Sequence, residues 1–174
     1  MAERTRVVEI LPYDPMWKVD FEQIKSMVSG YIGDLILDIE HVGSTSVEGL
    51  AAKPIIDLDV VIESNDKLPE IIKRLAAEGY EYQGNLDVEG REAFHRKFPD
   101  GYRYNLYVCP QDGKGYCEHI AFRDYLRVNE SARLEYEKLK KNQAKEFRYD
   151  IDKYADGKTE FVKYILDKTL YGGK

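Results

Sequence analysis

The stretch Ile55-Ile56-Asp57-Leu58-Asp59-Val60-Val61-Ile62 decides the fold of this 174-residue chain. Its β-branched, apolar content predicts a strand with Ile56, Leu58, Val60 and Ile62 on one face and Ile55, Asp57, Asp59 and Val61 on the other. The two carboxylates then share a face at a spacing of about 6 to 7 Å. At that range each raises the other's pKa, and burial adds a desolvation cost that a bound divalent cation removes. Oxygen-only ligands favour Mg²⁺ (or Mn²⁺), which takes one or two carboxylates and completes its shell with water and substrate phosphates. A nucleotide is the natural companion of such an ion. Taken alone, the Asp-x-Asp pair favours two solvated acids on an edge strand; the residues before it reverse that preference.

Upstream, Leu35 to Val42 predicts a strand that runs into a turn at Gly43-Ser44-Thr45-Ser46. A glycine here lets backbone N–H groups approach a phosphate, and the Ser44 hydroxyl donates a further bond. Gly43 also reads as a plain turn residue and Ser44 as a helix N-cap, readings that coexist with an anion site. Twelve residues, Thr45 to Ile56, separate Ser44 from Asp57, enough for one short connection that lets turn and strand meet.

Val42, Gly43, Ser44, Asp57, Leu58 and Asp59 resemble the signature of the polymerase-β-like nucleotidyltransferase superfamily. More narrowly, His41 to Val47 followed by Gly49 to Asp57 resembles the hallmark block of the GrpB family. The likeness continues through Ala121 to Arg127, Tyr136 with Leu139 and Lys140, and Lys158 with Phe161. The resemblance implies an α+β, nucleotidyltransferase-like fold, with a mixed β-sheet and flanking and C-terminal helices, and implies that Asp57 and Asp59 are metal ligands and catalytic. It also implies a third carboxylate on a neighbouring strand, which helps activate the incoming hydroxyl. The arm Tyr104-Asn105-Leu106-Tyr107-Val108 is the place for it and holds no acid; GrpB relatives tend to carry histidines there. Asn105 offers an amide oxygen that coordinates a cation but is no general base. Asp87, Glu89 and Glu92 are alternative acids in the preceding loop.

The rest of the chain is consistent with one domain over residues 1–174. Asp14 and Pro15 predict the start of a helix carrying Trp17, Phe21, Ile24, Val28 and Tyr31. Ser64 to Asp66 caps a second helix, ended by Gly79, and a strand follows near Tyr80 to Gln83. Ala93 to Phe98 and Tyr102 to Cys109 form a hairpin around Pro99-Asp100-Gly101. Helices follow near Glu118 to Arg127, Glu130 to Arg148 and Lys158 to Leu170, the last two opened by Asn129 and Asp156.

Among the cations, Lys53 reads by default as solvated and alternatively as a phosphate contact. Arg91, Arg96, Lys97 and Arg103 read as hairpin charges that discourage edge pairing or as phosphate contacts, Arg103 foremost. Arg123 suits an ion pair with a neighbouring helix, and Lys158 opposes the dipole at a helix start, which favours a reason beyond solubility. His41 reads equally as a packed polar residue and as part of the site. The run Glu135 to Lys145 reads as a solvated helix face, and the 14 tyrosines mostly as core.

A formal charge of -6 argues against broad attraction to nucleic acid or an anionic membrane, so a polyanion must be met locally. Cys109 and Cys117 lack CxxC spacing, and no apolar run approaches the roughly 20 residues of a membrane span, which together predict a reduced, cytoplasmic protein. Two readings of function stand: a Mg²⁺-dependent enzyme moving a nucleoside monophosphate from a nucleoside triphosphate to a small-molecule or protein hydroxyl, and a nucleotide- or phosphoester-binding module that keeps the fold without the reaction.

Overall fold

A computed structural model describes residues 7–97 and 101–172. The order of its elements is α1 (Met16–Ile32), β1 (Asp38–Val42), β2 (Ile56–Ile62), α2 (Leu68–Ala77), β3 (Glu81–Tyr82), β4 (Glu92–His95), β5 (Tyr104–Pro110), α3 (Lys114–Val128), α4 (Glu130–Glu146), α5 (Ile151–Asp156) and α6 (Thr159–Leu166). A π-helical segment, Asp167–Tyr171, follows α6. The described strands form one mixed sheet in the order β1-β2-β5-β4-β3, with β2 and β5 parallel and the other neighbours antiparallel. The fold is α+β, a mixed sheet with flanking and C-terminal helices, as the motif implies.

Alternation in β2 sorts the two faces as its sequence requires. Ile56, Leu58, Val60 and Ile62 join Trp17, Phe21, Ile24, Val28 and Ile32 of α1 and Ile71 and Leu75 of α2 in the main core. Leu106 and Val108 of β5 reach the same core, so α1 and α2 cover this face of the sheet. Asp57 and Asp59 are therefore turned to the opposite face, where α3 packs on β1 and β5. A smaller core of Val47, Leu50, Leu126, Ala132 and Tyr136 ties the connection after β1 to α3 and α4.

Several local expectations shift. Asp14 accepts from Met16 N–H at 2.9 Å, so the cap precedes α1 and Pro15 stands at the boundary. Asn129 does not cap α4 with its side chain; its Nδ2 instead donates to the Tyr125 carbonyl at 2.8 Å, closing α3. Asp156 ends a short helix, α5, which Asp150 caps by accepting from Lys153 N–H at 3.1 Å. The hairpin turn at Pro99 and Asp100 lies outside the described residues. Arg123 reaches a strand rather than a neighbouring helix: its Nη1 donates to Glu40 Oε2 at 2.8 Å and to the His41 carbonyl at 3.0 Å, while its Nε pairs with Asp124 of its own helix at 2.9 Å.

Candidate metal and phosphate site

Gly43 leaves β1 with φ +75°, and a Cβ built there would run into the Asp57 carboxylate. Glycine is thus required twice at one position, by backbone conformation and by the close approach of Asp57. The turn is fixed by its own bonds: the Gly43 carbonyl accepts from Ser46 N–H at 3.1 Å, and the Ser44 carbonyl from Val47 N–H at 3.2 Å.

Asp57 stands in register with Val42 on β1 and Asn105 on β5. Asn105 Nδ2 donates to Asp57 Oδ1 at 2.8 Å, so its amide N–H, not its oxygen, faces the carboxylate. Burial holds the Asp57 pKa above the usual carboxylate range, against the opposing pull of that hydrogen bond and of His119 and Lys53. Asp59 is 0 % exposed. Its Oδ2 accepts from His119 Nδ1 at 2.7 Å, while its Oδ1 is buried without a hydrogen-bond partner among the described residues. Burial lowers the His119 pKa, but the bond to Asp59 and the charges of Asp59 and Asp57 outweigh it and leave the net shift upward.

A narrow cleft of about 110 Å³ opens over Asp57, lined by Ser44, Lys53, Asn105, Lys140, Tyr154 and Lys158 among others. Lys53 Nζ and Lys158 Nζ lie 5.2 and 4.3 Å from the Tyr154 ring centroid, cation–π contacts that hold both ammonium groups at the cleft wall. Lys140, 1 % exposed, donates to the Ala51 carbonyl. Burial lowers all three: Lys140 to about 7 and Lys158 to about 8, each helped by neighbouring lysines, and Lys53 downward as well, with Asp57 opposing and Arg103 adding a smaller push in the same direction as burial. Three ammonium groups thus share a cleft in which burial penalises the charge of each.

The structure brings Ser44, Lys53, Asp57 and Asn105 into one cleft beside Gly43, with Asp59 buried beneath. Arg103 is exposed and lies outside the cleft lining, close enough to Lys53 to act on its charge. Arg96 is engaged on the other face of the sheet, over Tyr80 at 4.9 Å. His41 resolves as a packed polar residue: its ring stacks on Phe21 at 4.6 Å and bonds Thr45 Oγ1 at 2.9 Å. None of the loop acids supplies a third carboxylate; Asp87 and Glu89 are exposed, and Glu92 accepts from the Tyr82 hydroxyl at 2.7 Å. Among the described residues, no group of three or more His, Cys, Asp or Glu side chains has metal-holding geometry.

His119 escaped the sequence reading, and Lys140 entered it only through the family resemblance, without a site role. The Glu135 to Lys145 run is not wholly solvated, because Ala132, Tyr136 and Lys140 recur every four residues and form a buried stripe. That spacing was the available signal. His119 carries a comparable one, lying four residues before Arg123 and seven before Leu126, both buried on α3.

Two carboxylates on one strand face, one with an unsatisfied buried oxygen, fit a hard divalent ion that draws its remaining ligands from phosphate and water.

A family model described as GrpB protein matches residues 7–168. The glutamate-rich protein GrpB of Alkalihalophilus pseudofirmus is 36 % identical over 166 residues, covering 92 % of this chain and 95 % of that protein. YqkA of Bacillus subtilis is 33 % identical over 158 residues; the match spans 91 % of this chain but only 46 % of YqkA, so the chain accounts for about half of that relative. The crystal structure of GrpB from Enterococcus faecalis superposes with a TM-score of 0.83 at 34 % identity, covering 94 % of this chain and 98 % of that one. The poly(U) polymerase Cid1, in a mutant bound to MgATP, superposes with a TM-score of 0.57 at 13 % identity over 78 % of this chain and 44 % of Cid1, a likeness of fold. Among the described residues no helix is long and apolar enough to cross a membrane.

Proposed function

This chain belongs to the GrpB family, and from that premise we propose that it binds a nucleoside triphosphate with Mg²⁺ and transfers the nucleoside monophosphate to a hydroxyl acceptor. The observation that carries the reading is the convergence of Lys53, Lys140 and Lys158 on the cleft that Ser44 and Asp57 line. A lysine cluster opposite a paired-carboxylate strand matches the two ends of a metal-bound triphosphate, and a neighbour of the same fold is described as bound to MgATP.

Asp57 and Asp59 would hold the ion, which when bound neutralises their charge and polarises phosphoryl oxygens. Gly43 and Ser44 would receive the triphosphate tail through backbone and hydroxyl donors. The three lysines would offset the charge that builds on the departing pyrophosphate, in a narrow cleft. Arg103 would contribute at longer range. In the transfer the acceptor oxygen bonds to the α-phosphorus, the bond from that phosphorus to the β-phosphate bridging oxygen breaks, and the acceptor proton leaves to solvent. No acid on β5 takes that proton, since Asn105 and Tyr107 stand in register with Asp57 and Asp59. Catalysis would therefore rest on positioning and charge stabilisation.

The same Asn105 observation favours a second reading, a nucleotide-binding module without turnover. Stability measured with each nucleoside triphosphate, with and without Mg²⁺, tests the part common to both. Binding should raise stability by about 2.7 kcal/mol at 100 times the dissociation constant. No Mg²⁺-dependent stabilisation by any triphosphate would defeat both readings.

A further inference from the structure

Lys158 lines a second, larger hollow of about 810 Å³ between α3, α6 and the loop before β4. Tyr136 lines it too, and Lys158, which lines both, places this hollow beside the phosphate cleft. Part of its wall is apolar, from Val88, Val162 and Leu166, a composition and size suited to a small organic molecule. Its charges are unbalanced. Arg91, Lys114, Lys158 and Lys163 face it against Glu118 and Asp167, although the chain as a whole carries -6. Glu118 is already occupied, accepting from the Tyr171 hydroxyl at 2.8 Å and lying 3.8 Å from Lys114 Nζ.

Arg91 is the distinctive member. Its guanidinium lies 4.4 Å from the ring centroid of Tyr107, the residue in register with Asp59. Its Nε is buried and lacks a hydrogen-bond partner among the described residues, a costly state for a charged donor. The stem is held rather than free. Gly115 leaves room for it, since a Cβ there would lie 2.9 Å from Arg91 Cβ, and Gly115 N–H donates to the Glu89 carbonyl at 3.2 Å. A planar, pre-positioned guanidinium with an unused donor is suited to a carboxylate or phosphate.

We infer that this hollow is the acceptor pocket and that the acceptor is a small hydroxyl compound carrying its own carboxylate or phosphate, which Arg91 binds. This rests on the nucleotidyl-transfer reading for the word acceptor, while the anion site at Arg91 stands on the geometry alone. The excess of cations beyond the lysines already facing the triphosphate cleft gives that second anion its counter-charge.

The test follows the arginine Nε–H signals of isotope-labelled protein during titration with inorganic phosphate and, separately, acetate. Arg91→Gln and Arg91→Lys each identify the Arg91 signal by its loss, so one variant failing to fold does not prevent assignment. The expected result is a saturable shift of that signal by one or both anions, retained with saturating MgATP, and a loss of about tenfold or more in affinity in Arg91→Gln, read there from the backbone signal of Gly115, which packs on the Arg91 stem. An unmoved signal overturns the inference, as does a shift that MgATP abolishes, which would assign Arg91 to the triphosphate. Backbone signals of Gly43 and Ser44, followed with MgATP, report on the nucleotide reading separately: if they stay still while Arg91 responds, that reading fails and the anion site survives.

Discussion

His119 on α3 donates its Nδ1 proton to Asp59 on β2 at 2.7 Å, holding an aspartate that has no exposed surface. That bond ties α3 to the buried carboxylate of β2. The other oxygen of that carboxylate, Oδ1, has no hydrogen-bond partner among the described residues.

Removing the imidazole should therefore leave a buried carboxylate without its bond at Oδ2. His119→Ala is expected to lower unfolding free energy by about 3 to 5 kcal/mol in chelator, the cost of stranding a buried charge. Excess Mg²⁺ should recover part of that loss, because an ion can take the imidazole's place as counter-charge. Urea denaturation with chelator and with Mg²⁺ measures both, and equal stability of variant and wild type in chelator would contradict the account.

Gly43→Ala places a methyl group against Asp57 at a backbone position with φ +75°. The expected cost is about 1 to 3 kcal/mol from backbone strain and displacement of the carboxylate. Triphosphate affinity should fall together with stability in denaturation and binding titrations. An alanine that leaves both unchanged would mean that Asp57 and the turn are not coupled.

His41 supplies a pH signature. Burial first, and then the charges of Arg127, Arg123 and Lys18, lower its pKa from 6.5 to about 4. The unfolded chain therefore binds more protons than the folded one between those values, and stability falls as pH drops through them. The loss attributable to His41 is about 3 kcal/mol. His41→Asn, compared with wild type by denaturation across pH 4 to 7, should flatten that part of the profile; parallel profiles would show that His41 does not cause it.

Much of this arrangement was legible in the chain because its signals were local. Alternation in Ile56 to Ile62 placed Asp57 and Asp59 on one face, and the spacing from Gly43 and Ser44 set the turn beside them. The motif also implied the fold. The lysine wall was not legible in the same way. Lys140 and Lys158 come from distant helices, and the pull of Ala51's carbonyl and Tyr154's ring on their ammonium groups appears only once the C-terminal helices pack. Charged residues in a helix read as solvent-facing until a buried stripe such as Ala132, Tyr136 and Lys140 is noticed. The His119 to Asp59 bond spans 60 positions, beyond any periodicity.

Lys158 provides a measurement of the wall itself. It lines both the narrow cleft and the larger hollow, whereas Lys163 lines only the latter. Lys158→Gln is expected to weaken triphosphate binding by about tenfold or more, and Lys163→Gln to change it much less. Equal effects in a binding titration would place the triphosphate outside the narrow cleft.

The central claim is most directly tested by transfer itself. Wild type and Asp57→Ala are incubated with Mg²⁺ and each α-labelled nucleoside triphosphate, together with a panel of hydroxy acids and hydroxyl-bearing phosphate esters, and the label is followed into acceptor. The account predicts label transfer with release of pyrophosphate by wild type and its loss in Asp57→Ala. Equal transfer by the two proteins would contradict it.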